Sequence, residues 1–144
     1  MPKRLSLQPS RDPADYPFSH RLRTRFAETD AMGVIHHGSY LLYLEEARVA
    51  YLQHLGHPYG EVRDDGVDMA VLEVSVQYRS PIRFDDEVVV HLWAGSVTRT
   101  TFQVAYLLTV EGEPRATAVS VHGGVDRSGR GTRLPAWVGE ILTS

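Results

Sequence analysis

Residues 40–55 form a run of 16 positions without glycine or proline, and apolar side chains fill more than half of them. Such a run predicts one α-helix about 24 Å long. Ser39 is a suitable N-cap, Gly56 lies where a C-terminal cap is expected, and Pro58 blocks continuation of the helix. Because the apolar side chains cover more than half of the circumference, the rest of the fold must enclose this helix on several sides.

Strand-like segments account for most of the remaining chain. They lie at 20–26 before the helix and at 67–79, 87–97, 101–110 and 115–125 after it, with a tight hairpin turn at 111–112. The short turns between the later segments favour antiparallel pairing. The sequence therefore predicts an α+β fold in which a five-stranded antiparallel sheet wraps one long central helix. The other face or the edge of that sheet then needs a partner subunit.

The length of 144 residues fits a single domain. Four prolines among residues 1–17 predict a flexible tail, which leaves 18–144 as the folded domain. A net charge of −3 argues against nucleic-acid binding, and the absence of cysteine excludes thiol catalysis and cysteine-ligated metals. No stretch approaches the ~20 apolar residues of a membrane span, and no signal peptide is recognisable, so we predict a cytoplasmic protein without membrane insertion.

A turn rich in ionisable residues leads into the predicted helix. Asp30 lies in this turn, a few residues before the helix N-terminus. Helix N-termini present unpaired backbone N–H groups, which suit a developing oxyanion. A carboxylate close to such an N-terminus supplies two of the parts needed to hydrolyse an activated acyl group. On its own, however, an aspartate before a turn is more often a simple turn former.

The residues around this turn resemble the signature of a known family. The positions that match it are Phe26, Thr29, Asp30, Gly33, Val34, Ile35, His36, His37, Gly38, Ser39 and Tyr40. The segment 78–90 (YRSPIRFDDEVVV) resembles the second recurring stretch of the same family. Together the two stretches resemble hotdog-fold acyl-CoA thioesterases of the 4-hydroxybenzoyl-CoA thioesterase type. They are most similar to the small bacterial branch associated with the Tol–Pal envelope system.

The resemblance implies a hotdog fold, a homodimer or tetramer, and acyl-thioester sites at the subunit interface. It implies that Asp30 is the catalytic carboxylate and that the backbone amide near His37 polarises the thioester carbonyl. The expected reaction is hydrolysis of an acyl-CoA, or of an acyl carrier protein thioester, without a cofactor. Asp30 could act as a general base toward water or attack the carbonyl directly, and the sequence leaves both routes open.

Further candidates surround these two groups. The His37 side chain is a candidate for orienting water, substrate or Asp30. Glu45 is a reserve catalytic base, because other branches of the family use a carboxylate from this helix. A structural ion pair between Glu45 and Arg48 is the simpler interpretation. The remaining motif positions that we predict to bind substrate are Gly33, His36, Gly38 and Tyr40.

Three other polar features receive a prediction. Arg79 and Arg83 flank a proline turn and are predicted to bind the phosphates of coenzyme A, with simple surface exposure as the alternative. His36 and His37 are not predicted to hold a metal, because adjacent side chains in a strand point to opposite faces and no third ligand lies at a suitable spacing. Glu28 is interpreted as a solvated charge at the end of a strand.

Two other functions stay open on the sequence. A hotdog hydratase or dehydratase would pair His36 or His37 with Asp30 or Glu45 to move protons on the acyl chain. A non-catalytic protein would bind acyl thioesters, or a protein partner, without reaction. Water addition to an enoyl thioester without thiol release would indicate the first, and the absence of thiol release from a broad substrate panel would indicate the second.

Overall fold

A computed structural model of the chain describes residues 6–57 and 66–142. Its strands are β1 (Phe18–Arg23), β2 (Val67–Tyr78), β3 (Glu87–Gly95), β4 (Thr101–Val110), β5 (Glu113–Asp126) and β6 (Gly131–Thr132); its helices are α1 (Ser39–His54) and α2 (Ala136–Leu142), with short 3₁₀ helices at Pro13–Asp15 and Phe26–Glu28. The predicted order of one strand, one long helix and four strands is confirmed. Neither helix of the described part is long and apolar enough to cross a membrane.

The strands form one antiparallel sheet in the order β1-β3-β4-β5-β2, and the two-residue strand β6 adds to β5 as a sixth strand. The predicted hairpin between β4 and β5 is present, since Val110 pairs with Glu113. Its two turn residues have positive φ, 53° at Glu111 and 78° at Gly112, which is the conformation of a two-residue hairpin turn. Strands β1 and β2 are the two edges of the sheet in the described part of the chain.

The main core lies between α1 and one face of the sheet. Buried residues of the helix and of the sheet form a single apolar cluster that includes Tyr40, Tyr43, Leu44, Ala47, Val88, Val90, Leu92, Val104, Tyr106 and Leu108. The expectation that α1 is enclosed on several sides is met only in part. Leu41 and Leu42 remain 43% and 54% exposed in the single protomer.

The segment before β1 lies against the opposite face of the sheet. Tyr16 is buried there with Ala105 and Leu107, and Leu7 packs against the same cluster. The amide of Ser6 also donates to a side-chain oxygen on β4. These contacts place residues 6–17 on the sheet. The flexibility of the tail stays a prediction, and residues 1–5 lie outside the described part.

The two ends of α1 test the predicted caps. Gly56 follows the last turn with a φ of 88°, so the predicted C-terminal glycine is confirmed, whereas the predicted stop at position 58 lies outside the described residues. The predicted N-cap is wrong, because the helix begins at Ser39 and Gly38 occupies the capping position. The Ser39 hydroxyl instead donates to the carbonyl of Glu28, at 3.3 Å.

Candidate functional site

The turn that contains Asp30 is held by its own carboxylate. Oδ1 of Asp30 accepts hydrogen bonds from the amides of Met32 (2.8 Å) and Val34 (3.3 Å). Gly33 has a φ of 78°, which the turn requires and which an L side chain would strain. The other carboxylate oxygen, Oδ2, has no hydrogen-bond partner among the described residues. The turn therefore fixes Asp30 and leaves one oxygen available.

One backbone amide just before α1 has no acceptor in the part of the chain that the structure describes. The amide of His36 donates to the Glu28 carbonyl (2.8 Å), and the amide of Ser39 donates to the His36 carbonyl (2.9 Å). The amide of Gly38 is occupied by Nδ1 of the His36 ring, at 3.0 Å. Among the described residues, no group accepts from the amide of His37. This N–H is therefore available to an oxygen of a ligand.

Asp30 and His37 line the same open cleft, which has a volume of about 340 Å³. Tyr40, Tyr78, Arg79 and Ser80 are among its other lining residues. The cleft is thus lined by Asp30, whose carboxylate has one oxygen without a partner among the described residues, and by His37, just before α1, whose amide also has none. These are the groups required for attack on a carbonyl whose oxygen is polarised by a main-chain donor.

Tyr78, at the end of β2, is a cleft residue that the sequence reasoning did not select. Its hydroxyl donates to the carbonyl of His37 at 2.9 Å, and its ring packs edge-to-face against Tyr40 with centroids 4.8 Å apart. Burial raises the pKa of both tyrosines, so both hydroxyls stay protonated at neutral pH. The sequence feature that could have identified Tyr78 as a site residue is its position at the start of the second family-like stretch, 78–90.

The two adjacent histidines do not point to opposite faces. Their ring centroids lie 4.1 Å apart at an interplanar angle of 32°, so the prediction of opposed side chains is wrong. The reason is that His36 and His37 lie in a turn and not in a strand. His36 is not a lining residue of the cleft, and its ring accepts a hydrogen bond from the Gly38 amide. His37 does line the cleft. No group of three metal-ligating side chains occurs in the described ranges.

The two arginines predicted to bind phosphate occupy different surroundings. Arg79 lines the cleft, and its guanidinium donates to the side chain of Gln77 at 3.2 Å. Arg83 is not part of the cleft lining. Its backbone amide donates to Asp86 and its carbonyl accepts from the hydroxyl of Thr24, so its main chain anchors the turn before β3.

Glu28 is not the solvated charge that the sequence suggested. It is only 8% exposed, and its carboxylate accepts from the Arg25 amide (2.7 Å) and the Tyr43 hydroxyl (2.8 Å). Burial tends to raise the pKa of Glu28, but the hydrogen bonds from Arg25 and Tyr43 outweigh it and hold the pKa below its usual range. Glu28 therefore stabilises the segment that leads into α1, because its backbone carbonyl also accepts a hydrogen bond from the amide of His36.

Glu45 lies away from the Asp30 cleft of its own protomer. It is exposed and lines a second cavity beside α1. The predicted ion pair with Arg48 is wrong, since no carboxylate of the described residues lies within 4 Å of that guanidinium. Arg48 donates instead to the hydroxyl of Tyr106, at 3.1 Å.

Comparisons with known proteins agree with this architecture. Residues 24–142 match the family described as the Thioesterase-like superfamily. The crystal structure of a hypothetical protein from Aquifex aeolicus is similar with a TM-score of 0.83 at 37% identity, over 88% of this chain and 99% of that one. The 1,4-dihydroxy-2-naphthoyl-CoA hydrolase of Synechococcus elongatus is 31% identical over 111 residues, 76% of this chain and 80% of that protein. The acyl-CoA thioester hydrolase YbgC of Escherichia coli O6:H1 is 33% identical over 69 residues, 48% of this chain and 52% of that protein.

Proposed function

Because the chain belongs to the Thioesterase-like superfamily, we propose that it hydrolyses acyl-CoA thioesters to a free acid and coenzyme A, with Asp30 and the His37 amide at the reacting carbonyl. The reaction class is that of its relatives, and the chain is a thioester hydrolase with the predicted hotdog fold. The identity of the acyl group, the identity of its carrier and the roles of the catalytic residues are our proposals. A cytoplasmic location stays a prediction from the sequence.

One observation carries this proposal: Asp30 and His37 line the same cleft, and among the described residues Oδ2 of Asp30 and the amide of His37 have no partner. A thioester carbonyl whose oxygen accepts from that amide presents its carbon to the cleft. Asp30 then takes a proton from a water that attacks this carbon, or attacks the carbon itself. Collapse of the tetrahedral intermediate breaks the C–S bond and releases the thiolate, which takes up a proton. On the route in which Asp30 attacks, this leaves a mixed anhydride, which water then hydrolyses to the free acid and the free Asp30 carboxylate. Removing one such oxyanion donor typically slows a reaction by about 10²- to 10³-fold.

Binding of the coenzyme follows from the residues at the edge of the cleft. We assign the phosphates of coenzyme A to Arg79, whose guanidinium is exposed beside the cleft. For Arg83 we propose a role in holding the turn. We propose an indirect role in substrate binding for the other motif positions. The backbone conformation of the turn would depend on Gly33, Gly38 and His36, and the side chain of Tyr40 would form part of the cleft wall. The same cleft would accept an acyl carrier protein thioester, since the reacting atoms are identical.

We further propose that the chain is of the 4-hydroxybenzoyl-CoA thioesterase type and belongs to the branch associated with the Tol–Pal system. The resemblance of the motif around Asp30 supports this proposal.

We propose a homodimer in which the free edge of β2 pairs with β2 of a second copy. That edge has no partner strand in the described part of the chain. Apolar side chains along this strand are exposed to solvent: the exposed fraction is 51% for Val71, 41% for Leu72 and 36% for Val74. An exposed apolar edge strand is a template for strand pairing between chains, and a two-fold axis would close the contact.

The test is thiol release from a panel of acyl-CoA substrates by the native protein and by Asp30→Asn. The asparagine oxygen can still accept from Met32 and Val34, so the turn should stay folded while activity falls about 10²- to 10⁴-fold. Asp85→Asn, in an exposed turn, is the matched control and should keep full activity.

Three results would contradict the proposal. A folded Asp30→Asn protein with full activity would remove this carboxylate from the mechanism. Water addition to an enoyl thioester without thiol release would identify a hydratase. A native protein that binds acyl-CoA but releases no thiol from any substrate would be a binding protein.

A further inference from the structure

A second cavity, of about 350 Å³, lies between α1 and the first residues of β2. Most of its lining is apolar and includes Leu52, Met69, Phe102 and Leu142. It shares no lining residue with the Asp30 cleft. The mechanism proposed above does not use it within one protomer, although its size and apolar character are those of a ligand pocket.

One wall of this cavity is polar and consists of a hydrogen-bonded chain. Arg48 donates to the hydroxyl of Tyr106 at 3.1 Å, this hydroxyl lies 2.6 Å from Oγ of Ser120, and Oγ of Ser120 lies 2.6 Å from Nε2 of His122. Tyr106, Ser120 and His122 are buried. Burial, with a smaller contribution from the Arg48 charge, lowers the pKa of His122 to about 3, so the imidazole is neutral at pH 7.

The polar wall has hydrogen-bonding capacity that the described residues do not use. Both Arg48 and His122 line the cavity. Nδ1 of His122 has no partner among the described residues, and Arg48 makes one hydrogen bond with NH1, which leaves its other N–H groups unused. Polar groups that face an apolar pocket without a partner cost free energy, and a ligand oxygen would satisfy them.

The charges of the lining decide what kind of oxygen fits. The carboxylate of Glu45 lies on the same cavity lining as the Arg48 guanidinium. An anionic ligand end would meet this carboxylate as well as the Arg48 cation. A hydroxyl or carbonyl oxygen avoids that repulsion and still accepts from Arg48 or His122.

The proposed dimer connects this cavity with the reaction. Antiparallel pairing of β2 with its copy about the strand centre, between Leu72 and Glu73, places the Met69 end of one strand beside the Tyr78 end of the other. Met69 lines the cavity and Tyr78 lines the cleft. In a dimer with this register, the cavity of one protomer would adjoin the Asp30 cleft of the second copy, so that an acyl group bound at one would extend into the other.

We propose that this cavity holds the distal part of the acyl group and that Arg48 and His122 select acyl groups with a neutral hydrogen-bonding oxygen at their far end. The proposal rests on the proposed thioesterase function. At ~30 Å³ for each small group, the cavity has room for on the order of ten non-hydrogen atoms. An ω-hydroxyoctanoyl group has this size and carries its oxygen at the end.

The experiment compares kcat/KM for octanoyl-CoA and ω-hydroxyoctanoyl-CoA, which differ only in that oxygen. The native protein should prefer the hydroxylated substrate by about tenfold or more, since the plain chain leaves the polar wall unpaired. Arg48→Met and His122→Phe should each reduce the preference to below about threefold. They should do so by slowing the hydroxylated substrate more than the plain one.

Two controls keep the result interpretable. Arg21→Met removes an arginine from the exposed face of β1 and should leave the preference unchanged. Because His122 is buried, circular dichroism must first establish that His122→Phe is folded; if it is not, Arg48→Met decides, since Arg48 is only half-buried.

Failure of this inference can be told apart from failure of the thioesterase proposal. Equal kcat/KM values for the two substrates, or a preference that survives both substitutions, would overturn the inference and leave the hydrolase intact. If no acyl-CoA is hydrolysed, calorimetric binding of the S-octyl and S-(ω-hydroxyoctyl) thioethers of coenzyme A decides the matter. Equal affinities would then overturn the inference, and a tenfold difference that Arg48→Met removes would support it.

Discussion

The hydroxyl of Tyr78 donates a hydrogen bond of 2.9 Å to the carbonyl oxygen of His37. The next amide, that of Gly38, is held by the His36 ring at 3.0 Å. The amide of His37, from which no described residue accepts, is therefore adjacent to a peptide group whose carbonyl and amide are both fixed. A donor fixed before the substrate arrives needs no reorganisation during the reaction, which is the condition for effective stabilisation of an oxyanion.

Tyr78→Phe should lower kcat by about tenfold with little change in KM, because the ring packing is kept and only the bond that orients His37 is lost. Steady-state thiol release measures both constants. Tyr16→Phe is the matched control, since it removes a hydrogen bond of 2.6 Å on the opposite face of the sheet and should not affect kcat. An unchanged kcat in Tyr78→Phe would show that the His37 carbonyl needs no such anchor.

Glu28→Gln should destabilise the fold by about 1–3 kcal/mol at pH 7, because Arg25 and Tyr43 lose a charged acceptor in a buried position. The pKa of Glu28 is lower in the folded state than its ordinary value of 4.5, so its stabilisation is present above about pH 5 and is lost as the pH falls through the folded pKa. Urea unfolding as a function of pH measures this. The variant should lose part of the acid dependence below about pH 4.5, and an unaltered dependence would contradict the stabilisation of the Glu28 carboxylate by these hydrogen bonds.

His122 should make the fold less stable as the pH falls below its unfolded pKa of about 6.5. Its folded pKa is about 3, so between these values the unfolded chain binds a proton that the folded chain does not. The free energy of unfolding should therefore fall by up to ~1.4 kcal/mol per pH unit from this group. His122→Phe should show a shallower slope than the native protein between about pH 6 and pH 4. Parallel curves would show that the imidazole is protonated in the folded state.

Val74→Asp should disrupt the proposed dimer, because it places a charge among the exposed apolar residues at the free edge of β2. Sedimentation equilibrium should give the mass of two chains for the native protein and of one chain for the variant. Ser19→Asp adds the same charge to β1, the opposite edge, and should stay dimeric. A native monomer, or a dimeric and fully active Val74→Asp protein, would exclude β2 as the interface.

Elements with a strong local signal were predicted from the sequence. The long helix, predicted at 40–55 and found at Ser39–His54, the order of the elements along the chain and the hairpin turn at 111–112 follow from apolar periodicity and turn chemistry, which act over a few neighbouring residues. The cap of α1 was missed for the same reason. Residue type favours Ser39 as the cap, but the helix begins at Ser39 itself, and Gly38 takes the capping position.

The sequence by itself determined that a carboxylate precedes a long buried helix, since both features lie within a single stretch of chain. Only the tertiary structure decided which groups complete the site, because their partners are distant in sequence. Tyr78 reaches His37 across 41 positions and Arg48 reaches Tyr106 across 58. The helix packing against the sheet and the strand register determine such contacts, and no local pattern contains that information.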